Sequence, residues 1–318
     1  MSSYAGSRLE DICDLLRSVK GQSSSNYELV YVTEGNESLQ EFVVSEAKVL
    51  DIPVKVVRNT GAPGLSESRN LGVDASRGEI LGFVDDDVIL DSQWVQNVER
   101  VFREHDSIVG VTGASFPRWI GKEADWWPHS LDWLISCTRW IKSKAMFEVT
   151  NCWGMNMAFR KSVIIKVGKF NTMSTETSRY LRLGSAAKSS GLSPSRSGEM
   201  AEDVDISLRV RQNSHKSLCF VPDIKVISKV YPYRLSNKFI IQRANFVGYS
   251  RRNVESRRPD LDRDVVHFEP FVALLILQDF FSPSELLWSN LTELGMRYRV
   301  LLLASVSLFL GYFLGPIQ

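Results

Sequence analysis

The chain has 318 residues, of which 44% are apolar and 24% are charged, and its formal net charge is +1. This composition is typical of a globular protein with a large core, and a net charge so near zero argues against a general polyanion binder such as a nucleic-acid protein. The four cysteines show neither a paired metal-binding spacing nor a disulfide framework, which indicates a reduced, cytosolic protein.

Helical and strand patterns alternate through the first half of the chain. In chain order the sequence predicts a helix over 9–19, a strand over 28–33, a helix over 42–50, a strand over 54–58, a short helix over 66–76, a strand over 79–84, a helix that Ser92 caps, and a strand over 108–112. Strands that alternate with helices indicate parallel pairing with crossover connections. We therefore expect an α/β fold with a mostly parallel sheet flanked by helices.

Three adjacent carboxylates, Asp85, Asp86 and Asp87, follow the predicted strand that ends at Val84. Like charges a few ångströms apart repel, so either one acid is protonated or a cation lies between them. Magnesium or manganese, held by one or two carboxylates and a substrate diphosphate, meets this requirement, whereas a solvated acidic turn is the plain structural alternative. Because ligands bind beyond the carboxyl ends of parallel strands, we favour a metal site.

Two other segments carry charged groups that suit such a site. Arg69 lies on the short helix ahead of the triplet, where its planar guanidinium is suited to a diphosphate or to a metal-site carboxylate, or simply to a surface ion pair. Glu202 and Asp203 begin a helical pattern. A carboxylate there is either a general base that takes a proton from an acceptor hydroxyl, or an ordinary partner of the helix dipole.

The middle of the chain offers an acceptor pocket. The stretch 151–160, which contains Trp153, Gly154 and Asn156, forms either the floor of such a pocket or a plain core strand. Residues 116–153 are predicted to be irregular and contain six tryptophans, which suit the core, sugar faces or a membrane interface. Residues 171–199 are rich in Ser, Thr and Gly and predict a mobile, lid-like loop.

The C-terminal part of the chain points to a membrane. The run 229–258 holds eight Lys or Arg residues against one Glu, which suits anionic headgroups or a solvated helix face. The stretch 300–314 has no charge and follows Arg297 and Arg299. It is marginal against the roughly 20 residues that a span needs, so a span, an interfacial anchor and a buried core helix all stay open. We favour attachment at the cytosolic face.

Taken together, these motifs resemble family 2 glycosyltransferases with the nucleotide-diphospho-sugar GT-A fold. The likeness, over about residues 4–252, is carried by Gly-Leu-Ser-x-x-Arg-Asn-x-Gly from Gly64, by the acidic triplet, and by Gly-x-Asn-Met-Ala-Phe-Arg from Gly154, followed by Gly-x-Phe at Gly168 and by Glu-Asp at Glu202. Within the family the chain is most similar to archaeal enzymes that extend dolichyl-phosphate-linked glycans for surface-layer N-glycosylation.

The resemblance implies an inverting transfer from a nucleotide-diphospho-sugar to a polyprenyl- or dolichyl-phosphate-linked or glycan acceptor. Asp85 and Asp87 match the Asp-x-Asp motif that holds the donor diphosphate through Mn²⁺ or Mg²⁺. Asp203 matches the catalytic base, with Glu202 beside it. The other implied positions are Asp86, Arg69 and Arg243 for the donor, the last in an Arg-rich element that includes Gly248, and Trp153, Gly154 and Asn156 for the acceptor.

Three positions depart from the family pattern. The chain starts at about the tyrosine that ends the family's first strand, Tyr4, so we expect that strand to be absent. Glu34 stands where the family has an Asp for the base or ribose, and is its possible replacement. Ser228 occupies the position of a His that completes the metal shell in many relatives.

The sequence also predicts how the chain divides and leaves two alternatives for its function. We expect a catalytic domain over 1–228, a basic amphipathic membrane-proximal segment over 229–270, and hydrophobic helices over 271–318 as a membrane anchor. One alternative is a sugar nucleotidyltransferase, although the Gly-rich basic loop that such enzymes carry after the first strand is not seen in the sequence. The other is an inactive binding or scaffold protein, which an absent first strand would favour.

Overall fold

The computed structural model describes residues 2–3, 9–35, 37–61, 64–172, 202–214, 216–257, 268–281 and 291–315. These residues form two compact units. The first unit contains the described residues up to Phe116 and those between Ser143 and Ser228, and the second contains Pro117–Lys142 and the described residues from Lys229 onward. The predicted three-part division stays a prediction. The predicted loop over 171–199 lies almost wholly outside the described residues.

Helices and strands alternate through the described chain. The strands are β1 (Ser2–Ser3), β2 (Leu29–Glu34), β3 (Val54–Asn59), β4 (Ile80–Val84), β5 (Val88–Leu90), β6 (Ile108–Trp119), β7 (Phe147–Val149), β8 (Asn156–Arg160) and β9 (Ser217–Val230). The α-helices are α1 (Leu9–Lys20), α2 (Glu37–Val49), α3 (Leu65–Ala75), α4 (Trp94–Glu104), α5 (Lys161–Lys166), α6 (Glu202–Ser214), α7 (Asn237–Arg257), α8 (Phe268–Phe280) and α9 (Leu291–Leu314). Two short 3-10 helices cover His129–Ile135 and Pro232–Leu235.

The strands form two sheets of different character. The first is parallel, in the order β1-β2-β3. The second has the order β4-β8-β6-β9-β5, with β7 also paired to β9. In it β8 runs antiparallel to both β4 and β6, and β9 runs antiparallel to both β5 and β7. The α/β class is confirmed, but the expectation of a mostly parallel sheet is wrong: the architecture is mixed.

The reason for this error lies in the connections. Alternation of helix and strand forces parallel pairing only where a helix carries the chain back to a neighbouring strand, as α2 lies between the paired strands β2 and β3. The partner of β4 is β8, which comes more than 70 residues later, so no single crossover helix fixes its direction. A local apolar pattern does not encode that choice.

Two local expectations also change. Helix α4 begins at Trp94 with Gln93 as its N-cap residue and without a side-chain cap, so the predicted Ser92 cap is wrong. Asp91 Oδ1 instead accepts the Gln93 N–H at 2.9 Å, in the turn ahead of the helix. The chain does have a strand ahead of α1, since Ser2 and Ser3 pair with Val32 and Thr33; β1 is, however, only two residues long.

In the second unit, α7 and α9 lie side by side. Ile240 and Ala244 share a buried cluster with Val300, Leu301 and Ala304. Further along, a Cβ on Gly248 would be 2.1 Å from the Leu308 carbonyl oxygen, and one on Gly311 would be 1.9 Å from that of Asn245. Only glycine allows two backbones to approach so closely. Arg252 of α7 donates to the Phe313 carbonyl at 2.8 Å and so caps the end of α9.

Helix α9 is also the one described helix that is long and apolar enough to cross a bilayer, judged by length and composition alone. It has 24 residues, and about a third of its most apolar 18-residue stretch is buried in the protein. These properties fit a span, a core helix or an interfacial helix equally well.

Candidate active site

The acidic triplet occupies the turn between β4 and β5. Asp85 directly follows β4, and Val88, the first residue of β5, pairs with Ser228 of β9. The side chain of Asp85 is 41% exposed, whereas Asp86 and Asp87 are buried, with 7% and 3% exposure. The triplet is therefore not a solvated surface turn, because two of its three carboxylates lie inside the protein.

Arg69 of α3 connects the triplet to the start of α6. Its Nη1 donates to Glu202 Oε1 at 2.9 Å, and its Nη2 donates to the Gly154 carbonyl at 3.2 Å. The same Nη2 lies 3.6 Å from Asp85 Oδ1. The side chains of Arg69 and Glu202 are each only 7% exposed, so this ion pair lies in a medium where charge interactions are strong.

Asp203 is held beside this group by main-chain donors. Its Oδ2 accepts the Gly154 N–H at 2.9 Å and its Oδ1 accepts the Val204 N–H at 2.9 Å. Gly154 thus gives its N–H to Asp203 and its carbonyl to Arg69. A Cβ at this position would lie 2.7 Å from Arg69 Nη2, so a larger residue here would displace the guanidinium. Glu202 is buried and Asp203 is half-buried, so Asp203 is the more accessible acid.

The charges of the site are unbalanced. Loss of hydration raises the pKa of Asp85 to about 6, Arg69 opposes this rise, and Asp87, Asp86 and Glu202 add to it. Among the described residues, three further carboxylates and one guanidinium thus act on the charge of Asp85. Such an excess of negative charge favours either protonation or a bound cation.

The residues of the site fit a hard divalent cation. Two buried polar atoms beside the triplet, Glu202 Oε2 and Ser228 Oγ, have no hydrogen-bond partner among the described residues. Carboxylate and hydroxyl oxygens are the ligands that Mg²⁺ and Mn²⁺ prefer. Within the described ranges no three His, Cys, Asp or Glu side chains form a complete ligand set. The donor set therefore suits a cation that is shared with a substrate diphosphate rather than one enclosed by protein.

Two predicted site residues are engaged elsewhere in the first unit. The Glu34 carboxylate accepts the Gly64 N–H at 3.1 Å and the Ser68 hydroxyl at 2.7 Å, and so serves the N-terminus of α3. Asn156 is fully buried. Its amide donates to the Ile224 carbonyl at 2.9 Å and accepts from Trp94 Nε1 at 2.8 Å, which leaves no surface for an acceptor.

The remaining predicted residues divide between the two units. Trp153 is half-buried, and its ring lies edge-on to Phe220 at 5.9 Å. Its main-chain N–H donates to Thr112 Oγ1 at 3.2 Å. It lies next to Gly154 in the chain and so borders the carboxylate group. Arg243 lies in α7 of the second unit. The structure thus brings together Arg69, Asp85, Glu202, Asp203 and Gly154, five residues from four separate segments.

Sequence reasoning missed one contact that supports this group. The Asn70 amide donates to the Phe170 carbonyl and accepts the Phe170 N–H, both at 2.9 Å, so it imitates a strand partner. The ring of Phe170 lies 5.4 Å from the Arg69 guanidinium carbon and 5.2 Å from the ring of Phe83. The sequence offers one signal for this contact: Asn70 belongs to the motif that starts at Gly64, and Phe170 ends the Gly-x-Phe motif that starts at Gly168.

Comparisons with known proteins identify the family of the chain. Residues 6–168 match the model of glycosyl transferase family 2. A glucosyl-dolichyl phosphate glucuronosyltransferase of Haloferax volcanii is 24% identical over 266 residues, which cover 82% of this chain and 78% of the relative. An uncharacterized glycosyltransferase of Haemophilus influenzae is 26% identical over 166 residues, 52% of this chain and 53% of that protein.

Two solved structures share the fold. A mannosyltransferase of Pyrobaculum calidifontis, in complex with GDP-Man and Mn²⁺, superposes with a TM-score of 0.57 at 15% identity, over 97% of this chain and 85% of its own. GalNAc-T7 with UDP, GalNAc and Mn²⁺ superposes with a TM-score of 0.50 at 17% identity, over 82% of this chain and 51% of its own. At such identities the likeness shows the fold, which is GT-A-like.

Proposed function

The chain belongs to glycosyl transferase family 2, and from that membership we propose that it is an inverting, metal-dependent enzyme. It transfers a sugar from a nucleotide-diphospho-sugar to a polyprenyl- or dolichyl-phosphate-linked acceptor. The observation that carries this proposal is the excess of carboxylates around Arg69 at the end of β4, with Asp203 beside it. The Mn²⁺ in the similar structures supports the metal, and the name of the Haloferax volcanii relative supports the acceptor class.

The donor side of the proposed site uses the acidic turn. Asp85 and Asp87 would hold Mn²⁺ or Mg²⁺, with Asp86 and Arg69 completing the donor-binding group. When bound, such a cation neutralises charge on the departing nucleoside diphosphate. Arg69 already balances Glu202 and lies 3.6 Å from Asp85, so it orients the acidic group before the donor arrives. Arg243 stays a proposed donor or lipid-phosphate contact.

The acceptor side uses Asp203 as a general base. Its carboxylate takes the proton of the acceptor hydroxyl while that oxygen bonds to the anomeric carbon and the bond from that carbon to the diphosphate oxygen breaks. One displacement of this kind inverts the anomeric configuration. The Gly154 N–H, at 2.9 Å from Oδ2, fixes the orientation of the carboxylate. Trp153 and Gly154 stay the proposed acceptor contacts.

For the membrane, we propose attachment through one face of α9. Four of its exposed apolar side chains, Leu302, Val306, Phe309 and Phe313, recur every three or four residues and so form one stripe. Exposed Arg299 precedes Leu302 by three residues and continues that stripe, and Arg252 lies at its other end, bound to the Phe313 carbonyl. A stripe of apolar groups between two cationic groups suits the interface of an anionic bilayer.

An interfacial position fits α9 better than a span. Helix α7 lies against it and carries Arg243, Asn245 and Arg251. A bilayer span by α9 would draw these polar groups into hydrocarbon, at a cost of about 2.5–3.5 kcal/mol for each charge near the centre. From Arg299 to Phe313 the helix is only about 21 Å long, against a hydrocarbon core of about 30 Å. All four cysteines are free thiols, consistent with the proposed cytosolic face.

A donor panel tests the proposal. The purified protein is incubated with Mn²⁺ and a set of sugar nucleotides, and release of free nucleoside diphosphate is measured with and without lipid-phosphate acceptors. We expect acceptor-dependent release from at least one donor. Asp87→Ala should weaken metal-dependent nucleotide binding at least about tenfold, since it removes a cation ligand.

The control is Asp106→Ala, which removes a carboxylate with a 99% exposed side chain from the same unit and should leave nucleotide binding unchanged. No release from any donor, together with retained vesicle binding, would instead indicate an inactive scaffold. Unchanged metal-dependent affinity in Asp87→Ala would exclude the acidic turn as the donor site.

A further inference from the structure

Three apolar side chains of the first unit form an exposed row across the second sheet. Phe116 of β6 is 42% exposed and Ile227 of β9 is 40% exposed. Ile227 pairs directly with half-buried Ile89 of β5. Single exposed apolar residues are common on proteins, whereas neighbouring ones mark binding surfaces. We refer to Phe116, Ile227 and Ile89 as the apolar row.

The register between β6 and β9 places Phe116 beside Ile227. The two strands are neighbours in the sheet. The contacts that fix their register join Ser107 with Ser217, and Gly113 with Ile224. Both contacts advance along the two strands in the same direction and by nearly the same number of residues, so the strands run parallel. The same offset then brings Phe116 next to Ile227.

The apolar row lies on the same face of the sheet as Trp153. Thr112 of β6 pairs with Met157, whose side chain belongs to a buried cluster shared with α6. Thr112 Oγ1 accepts the main-chain N–H of Trp153 at 3.2 Å. Because side chains alternate between the two faces of a strand, Ala114 and Phe116 follow Thr112 on this face. The row therefore continues the surface that borders the carboxylate group.

A cation stands between Trp153 and the apolar row. Lys225 is exposed and precedes Ile227 by two residues, so it belongs to the same face of β9. The register places it beside Ala114, which lies between Thr112 and the row. The order along this surface is thus the carboxylate group, an aromatic ring, a cation and the apolar row. From Thr112 to the row the strand advances about 13 Å.

We propose that Lys225 and the apolar row bind the lipid part of a lipid-linked acceptor. This inference rests on the proposed function and deepens it. The acceptor sugar contacts Trp153, with its reacting hydroxyl at Asp203. Its phosphate contacts Lys225, and its first prenyl units lie on the row. A prenyl-phosphate-linked sugar presents a polar ring, an anion and an apolar chain in this same order, whereas a soluble glycan would leave the row exposed to water.

The experiment measures binding of a short prenyl phosphate to the full chain. Farnesyl phosphate, farnesol and inorganic phosphate are titrated calorimetrically below the concentrations at which the lipids aggregate. The variants are Phe116→Thr, Ile227→Thr, Lys225→Gln and Lys225→Arg, since threonine keeps the β-branched shape that suits a strand. The matched controls are Ile165→Thr on α5, where the side chain is 51% exposed, and Lys48→Gln, an exposed lysine on α2.

We expect Phe116→Thr and Ile227→Thr each to weaken binding of farnesyl phosphate and of farnesol about fivefold to tenfold, because each removes apolar contact area. Lys225→Gln should weaken binding of farnesyl phosphate about fivefold and leave farnesol unchanged, and Lys225→Arg should restore the affinity. Both controls should behave as the unaltered protein does.

Three results would overturn the proposal. They are the absence of farnesyl phosphate binding to the unaltered protein, unchanged binding in Ile227→Thr, and an equal loss in Ile165→Thr. Thermal denaturation of each variant shows whether it folds. Lys225→Gln changes an exposed side chain, so it keeps the test valid even if a variant of the row unfolds.

Vesicles distinguish a lipid-linked acceptor from the bilayer itself. Ile227→Thr should bind vesicles of phosphatidylcholine and phosphatidylglycerol as the unaltered protein does. Weaker binding to these vesicles, which contain no prenyl phosphate, would show that the row is a membrane contact and would overturn the proposal.

The lipid site and the transfer reaction can fail separately. The variants of the row should leave Mn²⁺-dependent nucleoside diphosphate affinity unchanged. Failure of every sugar nucleotide to react would refute the proposed function and would leave the farnesyl phosphate titration readable. Sugar transfer to a soluble glycan, without any binding of farnesyl phosphate, would refute the lipid site alone.

Discussion

Each unit of the molecule contains an arginine paired with a buried carboxylate, and the two pairs are built differently. In the second unit, Arg139 Nη2 donates to Asp132 Oδ1 at 2.7 Å and Nε donates to Oδ2 at 2.8 Å. The main-chain N–H of Arg139 also donates to Oδ2, at 3.0 Å. Burial alone would lower the pKa of Arg139, but its bonds to Asp132 outweigh this and raise it. One cation meets one anion, and both oxygens of Asp132 are used.

In the first unit, Arg69 meets more acids than it can neutralise. It binds Glu202 through one Nη atom and approaches Asp85 with the other, while Glu202 Oε2 has no hydrogen-bond partner among the described residues. A balanced, fully bonded pair such as Arg139–Asp132 holds a loop in place. An unbalanced group keeps binding capacity for a further cation. The difference between them separates a structural ion pair from a candidate site in a chain whose net charge is near zero.

The largest effect is expected from Asp203→Asn, which tests whether the unbalanced group of the first unit is a catalytic site. We expect sugar transfer to fall about 10²–10⁴-fold, because the base is lost, while metal-dependent donor binding stays near normal. Steady-state transfer and nucleotide titration measure the two effects separately. Asp205→Asn on the same helix is the matched control, since Asp205 pairs with Arg209 at 2.7 Å. Near-normal transfer by Asp203→Asn would place the base elsewhere.

A second test compares the two arginines directly. Arg69→Gln and Arg139→Gln should each lower the free energy of unfolding by about 3–5 kcal/mol, because each leaves a buried carboxylate without its cation. Mn²⁺ should restore part of the loss in Arg69→Gln and none in Arg139→Gln. Chemical denaturation with and without Mn²⁺ measures this. Equal responses to the metal would erase the distinction between the two pairs.

The proposed binding surface of the second unit is the exposed apolar stripe of α9. We expect the double variant Leu302→Ser, Phe309→Ser to bind vesicles of phosphatidylcholine and phosphatidylglycerol about tenfold or more weakly. Val44→Ser with Val49→Ser, which removes two exposed apolar side chains from α2, is the matched control. Flotation with vesicles gives the affinity.

The same vesicles distinguish an interfacial helix from a span. Single cysteines are placed at the ends of α9 by Thr292→Cys and Leu314→Cys in a Cys13→Ser background, since the other three cysteines are buried. An impermeant maleimide should label both positions when the protein is bound from outside. Protection of Leu314→Cys alone would show that α9 crosses the bilayer.

The smallest expected effect is a difference in pH dependence. The pKa of Asp85 is raised to about 6 from 3.8, so protonation of Asp85 favours the folded, metal-free protein. This contribution to the free energy of unfolding is fully present below pH 3.8 and is lost as pH rises through about 6. In the second unit, burial and then Arg139 lower the pKa of His129 below 6.5. Its contribution is present above pH 6.5 and lost as pH falls below that value.

The free energy of unfolding is measured by denaturation across pH 4–8. Asp85→Asn should remove a fall of this free energy with rising pH, and His129→Gln should remove a rise. Because Asp85 is 41% exposed, solvent screens its interactions and its slope should be shallow. Slopes of the same sign in both variants would contradict the electrostatic description of the two regions.

The sequence predicted most helices and strands of the first unit, because their apolar side chains recur at local spacings. The helix of Leu9–Lys20 shows this, since Ile12, Leu15, Leu16 and Val19 all face the core. Strand direction was not predictable in the same way, and the antiparallel pairing of β4 with β8 depends on residues far apart in the chain. Strand β6 also continues to Trp119, so the start of the segment 116–153, which was predicted to be irregular, is part of a strand.

The site was predictable in its members but not in its contacts. The acidic triplet, Arg69 and Glu202–Asp203 each carry charges that attract attention in the sequence. The pairing of Arg69 with Glu202 spans 133 positions, and no local pattern specifies it. The Asp132–Arg139 pair was overlooked for the opposite reason, because a balanced pair in a loop resembles ordinary surface charge.

The contact between Gly154 and Arg69 has a consequence for substitutions that remove no charge. A methyl group at position 154 would lie 2.7 Å from Arg69 Nη2, so it would displace the guanidinium from the Gly154 carbonyl and from Glu202. We therefore expect a neutral substitution at position 154 to change the electrostatics of the site through the arginine.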